Sequence, residues 1–264
     1  MKHIILIFLF VSSIFAQDFS TRYDVHVSLF DHVGYADVTL KEDGKNYEIK
    51  LVAYTIGAAA TLLSNRVETF ISKGKIINGR YVPDSFVKIK ETTRKSKQQT
   101  YYFDHNKKEI RLVEEKTKLV GRPFFDASTF EFTYKDVKEV SKEEKIEDKY
   151  MDSDALSTYL NTKSNCNAKQ KNYKLFAVGA HNDKNNVLIT YLEGKDKNSA
   201  ISKFSTSEQD IYNLRVEPFD KRDRIVDVLV AFDADGHMKE AFMGEVFWVG
   251  KITAKRVYHK ITSN

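Results

Sequence analysis

Cysteine is nearly missing from this sequence: Cys166 is the single one in 264 residues. No intramolecular disulfide can form, so a folded domain here is held together by its core. Nor does a cysteine stand near the apolar N-terminus, where a lipid anchor would need one. Cys166 itself reads as a buried or partly exposed thiol and not as a nucleophile. Proline and glycine are also scarce, at three and 11. That leaves no flexible interdomain linker except the charged stretch 135–151. Long apolar runs are missing after the first 16 residues. Residues 226–232 are among the longest and Asp227 interrupts them, whereas a membrane-crossing helix needs about 20 apolar residues.

Several site signatures are absent as well. There is no Gly-x-Ser-x-Gly elbow. No two histidines stand four apart as in zinc proteases, and there is no Cys/His cluster. The sequence Asp233-Ala234-Asp235-Gly236 looks like the opening of a calcium loop, but the twelfth position is Gly244 and Glu245 comes one residue late. A hairpin turn is the better reading, because the ligand set is incomplete. His105, His181 and His237 fall in expected turns and read as solvated. A strand break separates His26 from His32. No catalytic residue, cofactor or metal ligand is therefore assigned, and no enzyme activity is expected.

What is present begins with three zones. Lys2 and His3 are followed by an apolar run over 4–11 that extends to Phe15, then small Ala16 before Gln17 and Asp18. This is the pattern of a signal peptide over 1–16; an uncleaved N-terminal anchor is the alternative. The expectation is export to the periplasm or beyond the cell. The formal net charge is +5, with lysines scattered among acidic residues. Residues 135–149 alternate Lys with Glu and Asp, the mark of a solvated face or linker. Without a basic stripe, nucleic acid is not an expected partner.

The dominant period is two. Tyr23, Val25, Val27 and Leu29 alternate with polar residues, as do Ala36, Val38 and Leu40, then Tyr47, Ile49, Leu51 and Ala53. Such alternation marks half-buried antiparallel strands. Asp43-Gly44, Asn78-Gly79 and Asp235-Gly236 supply hairpin turns. Further strands are expected across 66–134 and 173–258. Residues 55–65 read as a short helix or irregular crossing entered at Gly57. Residues 152–160 read as a helix capped by Asp152, Ser153 or Asp154. The sum is a single mainly β domain over 17–264: a large curved antiparallel sheet or open β-barrel of roughly a dozen strands, with one or two short helices.

Aromatic residues make up 12 % of the chain. Phe124, Phe125, Phe130, Phe132, Tyr134, Phe242, Phe247 and Trp248 divide between two readings. They fill the core, or they line an apolar cavity, since pockets use the same residue types.

Taken in order, certain residues resemble the exported bacterial family known as domain of unknown function 3108. They are Tyr23, Gly34 and Ala36, then Tyr47 and Ile49, Gly57, Leu62-Leu63 and Arg66-Val67-Glu68. Gly74, Pro83, residues 154–159, the Asp233 to Asp235 turn, Gly244 and Gly250 follow. The resemblance implies a periplasmic or secreted β-rich protein without an established activity. Three functions are open at this level. The first is a carrier of a lipid or other apolar molecule, covered by 55–65 or 152–160. The second is an envelope interaction protein that meets its partner through sheet edges or the charged stretch. The third is a hydrolase of unrecognised type.

Overall fold

The computed structural model describes residues 17–179, 184–205, 207, 210–218, 225–246 and 250–263. The expected 1–16 signal peptide lies outside them. Fifteen strands and three helices follow one another among the described residues. The first eight strands are β1 (Gln17–Val27), β2 (Asp31–Glu42), β3 (Asn46–Thr55), β4 (Val67–Ile77), β5 (Arg80–Glu91), β6 (Lys95–Asp104), β7 (Glu109–Asp126) and β8 (Glu131–Ile146). The rest are β9 (Ser153–Asp154), β10 (Asn172–Val178), β11 (Lys184–Tyr191), β12 (Asp210–Pro218), β13 (Val226–Phe232), β14 (Met238–Val246) and β15 (Gly250–Ser263). The helices are α1 (Gly57–Leu62), α2 (Ala155–Asn165) and α3 (Gly194–Ile201).

All fifteen strands belong to one open sheet, in the order β8-β7-β6-β5-β4-β3-β2-β1-β15-β14-β13-β12-β11-β10-β9. Every pairing is antiparallel except the short β9–β10 contact. The expected open antiparallel architecture is what the chain adopts. The Asp43-Gly44, Asn78-Gly79 and Asp235-Gly236 turns fall where the sequence marks them, whereas Lys73-Gly74-Lys75 and Ser96-Lys97, which also read as turns, lie inside β4 and β6. Asn78 and Gly79 take φ +52° and +73° between paired Ile77 and Arg80. Two positive φ angles in a two-residue loop match the twist of the flanking strands. At the β2–β3 turn, Asp43 Oδ1 accepts from the Lys45 and Asn46 amides at 2.9 and 2.6 Å.

One face of the sheet carries the core. Val38, Leu40, Tyr47, Ile49, Phe86, Tyr101, Ile110 and Leu112 bury there with Met151, Leu156 and Val178. A second cluster gathers Cys166, Leu175, Ala177, Val187, Ile189, Tyr212, Val230 and Phe232. Helix α2 lies between the two, and Tyr159 packs against both. Asp154 is its N-cap: the carboxylate accepts from the Leu156 and Ser157 amides, while Ser157 Oγ returns the bond to the Asp154 amide. This reciprocal arrangement satisfies donors that helix ends otherwise leave orphaned. Asn161 locks α2 to β5 by bonding the Tyr81 amide and carbonyl at 2.9 and 2.8 Å.

Three expectations change. Residues 135–146 are solvated as expected but are no linker, because they complete β8, paired along β7, and Glu147 just beyond them is buried. Their alternating Lys and Glu left no hydrophobic period to read. Helix α1 buries none of its residues and covers nothing. Helix α2 fills the inner face instead. Helix α3, unmarked in the sequence, packs Ala200 against Ile211 and Ala231 on the opposite face of the sheet.

Candidate functional site

Of the aromatic residues expected in the core or around a cavity, the five from Phe124 to Tyr134 stand in solvent. Strands β7 and β8 pair rung by rung from Arg111–Ile146 to Asp126–Glu131. Strand β6 follows β7 only as far as the Lys95–Lys118 rung. Residues 119–126 and 131–138 thus stand clear as a two-stranded ribbon. At a rise of about 3.3 Å per residue it projects about 25 Å. Among the described residues it has no third strand beside it and no layer above it, so its side chains stay in solvent. Phe130, Phe132 and Tyr134 are 81 %, 72 % and 78 % exposed. Phe124 and Phe125 are exposed as well.

The two ribbon faces differ. Cross-strand partners share a face and neighbours alternate. Pro123 pairs with Tyr134 and Phe125 with Phe132, so these four share one face with Leu119. Phe125 meets Phe132 at 5.1 Å between ring centres and Phe130 edge-on at 6.1 Å. The other face carries Val120, Arg122, Phe124, Lys135 and Val137. There the Lys135 ammonium sits 3.8 Å from the centre of the Phe124 ring.

The ribbon is braced at both ends. Arg94, in the β5–β6 turn, donates to both Asp136 carboxylate oxygens at 2.5 and 3.2 Å and to the Leu119 carbonyl at 3.2 Å. Arg122 reaches Glu139 Oε1 at 2.6 Å, and that bond holds the Glu139 carboxyl below its usual range. At the tip, Asp126 Oδ1 accepts from the Ser128 hydroxyl and amide at 2.6 and 2.9 Å. The hydroxyl bond, then the amide bond, pulls the Asp126 carboxyl down. The turn 127–130 is therefore tied to its strand, with Phe130 at φ +56°.

The other candidates lie elsewhere. Phe242 is half-buried in β14 opposite Leu229, on the α3 side of the sheet, with Lys203 Nζ 5.5 Å from its ring centre. Phe247 and Trp248 fall outside the described residues. The described members of the set lie on two separate parts of the sheet.

Sequence reasoning missed the histidines. His237 is 9 % exposed, not a solvated turn residue. His105 is half-buried, its Nδ1 2.5 Å from the Tyr150 hydroxyl and its Nε2 2.7 Å from the Pro83 carbonyl. His181 lies outside the described residues. His26 and His32 are direct partners across the β1–β2 hairpin and stack at 4.9 Å. The strand break between them is the turn that folds one onto the other. His237 and His259 come together with Asp233, their ligand atoms all within 4.8 Å of one another. These two residues stand 22 apart, His237 in the β13–β14 turn and His259 on β15, so no local motif marks the meeting.

No family model and no curated protein matches this sequence. Among solved structures it is similar to a β-barrel-like protein of domain of unknown function DUF1849 from Brucella abortus. The likeness has a TM-score of 0.49 at 10 % identity and covers 94 % of this chain and 98 % of that one. Function is therefore read from this chain's own side chains.

Proposed function

We propose that this is an exported cell-envelope protein that works by binding, with the aromatic end of the β7–β8 ribbon docking into the interfacial zone of a lipid layer. The observation that carries the reading is the exposure of five aromatic side chains on a ribbon whose end has no neighbouring strand among the described residues. Contiguous exposed apolar surface of this kind marks interaction sites. Rings of amphipathic or apolar character with Lys and Arg beside them suit the boundary between headgroups and acyl chains. Arg122 and Lys135 stand on the opposite face, and Lys138 on the ring face nearer the base of the ribbon. A reach of about 25 Å keeps the rest of the sheet clear of the headgroups.

The filled inner face supports surface docking over enclosed cargo, since α2 occupies the place where a carrier would hold an apolar molecule. The signal-like residues 1–16 and the resemblance to the exported family domain of unknown function 3108 belong to the same proposal. They put the ribbon in the periplasm or beyond, where it meets membrane surfaces.

Co-sedimentation with vesicles of phosphatidylethanolamine and phosphatidylglycerol tests the reading. The protein is expected to pellet with the vesicles. A variant with Phe125, Phe130, Phe132 and Tyr134 all changed to Ser is expected to stay in the supernatant with an unchanged melting curve. Removing one ring of about 100 Å² contact weakens binding by roughly tenfold to a hundredfold. Wild-type protein that never pellets sinks the lipid reading and turns the search to a protein partner. Equal pelleting by the variant removes the ribbon from it.

A further inference from the structure

We propose that Asp233, His237 and His259 form a binding site for one divalent first-row transition ion of the zinc class. Two imidazoles and one carboxylate are the donor types such ions select, and the hard ions calcium and magnesium prefer all-oxygen shells. Ligand atoms of the three residues lie within 4.8 Å of one another. A tetrahedral shell with bonds near 2.05 Å has edges of about 3.3 Å, so small side-chain rotations close the set. Three protein donors leave a fourth position for water.

The second observation is unmet hydrogen bonding. His237 Nδ1 and both ring nitrogens of His259 are buried and have no partner among the described residues. A buried polar atom left unpaired costs about 1–3 kcal/mol, and coordination relieves it. The surroundings hold the donors in place. The turn 233–237 is fixed by the Asp233 carboxylate accepting from the His237 amide at 2.8 Å. Lys163, from the last turn of α2, donates to the Asp233 and Ala234 carbonyls at 3.0 and 2.8 Å. His259 stands on β15 opposite Thr21 of β1. Phe19 walls the site, its ring 4.5 Å from that of His237 and 5.8 Å from that of His259. Arg256 bonds Asp233 Oδ2 at 2.8 Å and the His237 amide bonds Oδ1, which orients the carboxylate and leaves the second lone pair of Oδ1 for the ion. Its positive charge lowers affinity for a cation and sets the site below the tightest structural zinc centres.

Asp24, His26 and His32 also converge, but none of them is buried, and His26 Nδ1 is taken by Asp31 at 3.1 Å. They serve as the internal control. Calorimetric titration of chelator-stripped protein with zinc chloride is expected to show one site. His237→Gln is expected to weaken it by about a hundredfold or more, as removing a ligand costs at least what an outer-sphere change does. The His26→Gln/His32→Gln double variant is expected to bind as wild type. Absence of a stoichiometric site, retention of it in His237→Gln, or loss of it in the double variant each overturns the assignment. Should His237→Gln fail to fold, the imidazole nitrogen resonances of wild-type His237 and His259 decide. They are expected to shift on zinc addition, and unmoved resonances overturn the site.

Discussion

The inner face of β5 and β6 and the free end of the β7–β8 ribbon are built from the same residue types and meet opposite fates. Phe86 and Tyr101 are wholly buried, 6.1 Å apart between ring centres. Phe130 and Tyr134 are almost wholly exposed. Both sets alternate with polar residues, as strands with one apolar face do. What differs is company. Phe86 has strands on both sides and Met151 and Leu156 above it, whereas the ribbon runs past its last neighbouring strand. Alternation fixes which face a side chain takes; the number of strands and layers around it decides whether that face is dry.

The contrast is sharpest in stability. Phe86→Ala removes a fully buried ring and is expected to cost about 3–5 kcal/mol in urea unfolding. The four-fold ribbon variant is expected to cost under about 1 kcal/mol. A ribbon variant that loses more than Phe86→Ala collapses the distinction.

Carboxylates repeat the contrast. Burial pushes the Asp154 carboxyl up to about 6, against bonds from Ser72, Ser157 and Leu156, while the exposed Asp126 is pulled down by Ser128. A carboxyl raised above its unfolded value binds an extra proton in the folded state between about pH 4 and 6. Its contribution therefore favours folding at low pH and is lost as pH rises through that window, by on the order of 3 kcal/mol. The difference in stability between wild type and Asp154→Asn, followed from pH 4 to 7, is expected to show that slope. A flat difference refutes it.

Gly179 gives a smaller effect on the same core. Its φ is +78°, and an added Cβ would fall 2.1 Å from Phe86 Cε1. Gly179→Ala is expected to cost about 2 kcal/mol from strain and overpacking, with part recovered when Phe86 becomes Leu. Additive losses would show that the two do not press on one another. At the ribbon base, Arg94→Ala is expected to cost under about 1 kcal/mol, as exposed ion pairs do. Faster hydrogen exchange of amides 119–126 is its measurable sign, and unchanged exchange would mean that Arg94 braces nothing.

Much of the sheet is legible in the sequence. Asp43-Gly44 and Asn78-Gly79 announce their hairpins, and the run Asp152-Ser153-Asp154 announces a capped α2, because turns and caps are local chemistry. What stays hidden is what depends on distant neighbours. From Lys135 onward strand β8 has water on both faces and carries no apolar period. Helix α3, within 194–201, packs mainly through Ala200 and Ile201. His237 reads as a solvated turn residue until β15 and Phe19 close over it. The ribbon rings are legible as a strand, but nothing local says that β6 stops short of them.

Finally, β1 pairs with β15 along nearly its whole length, from Gln17–Ser263 to Val27–Ile252. The Thr21 hydroxyl bonds the Tyr258 carbonyl 237 residues away. Both strands lie mid-sheet, each with its other edge already taken by β2 or β14. During synthesis the meander from β1 to β8 can zip as it emerges, yet β1 keeps a bare edge until β15 arrives. Contacts so remote in sequence form late and slowly. The seam makes completion of this sheet wait for the arrival of β15, and until then it leaves one sticky edge for a chaperone to guard.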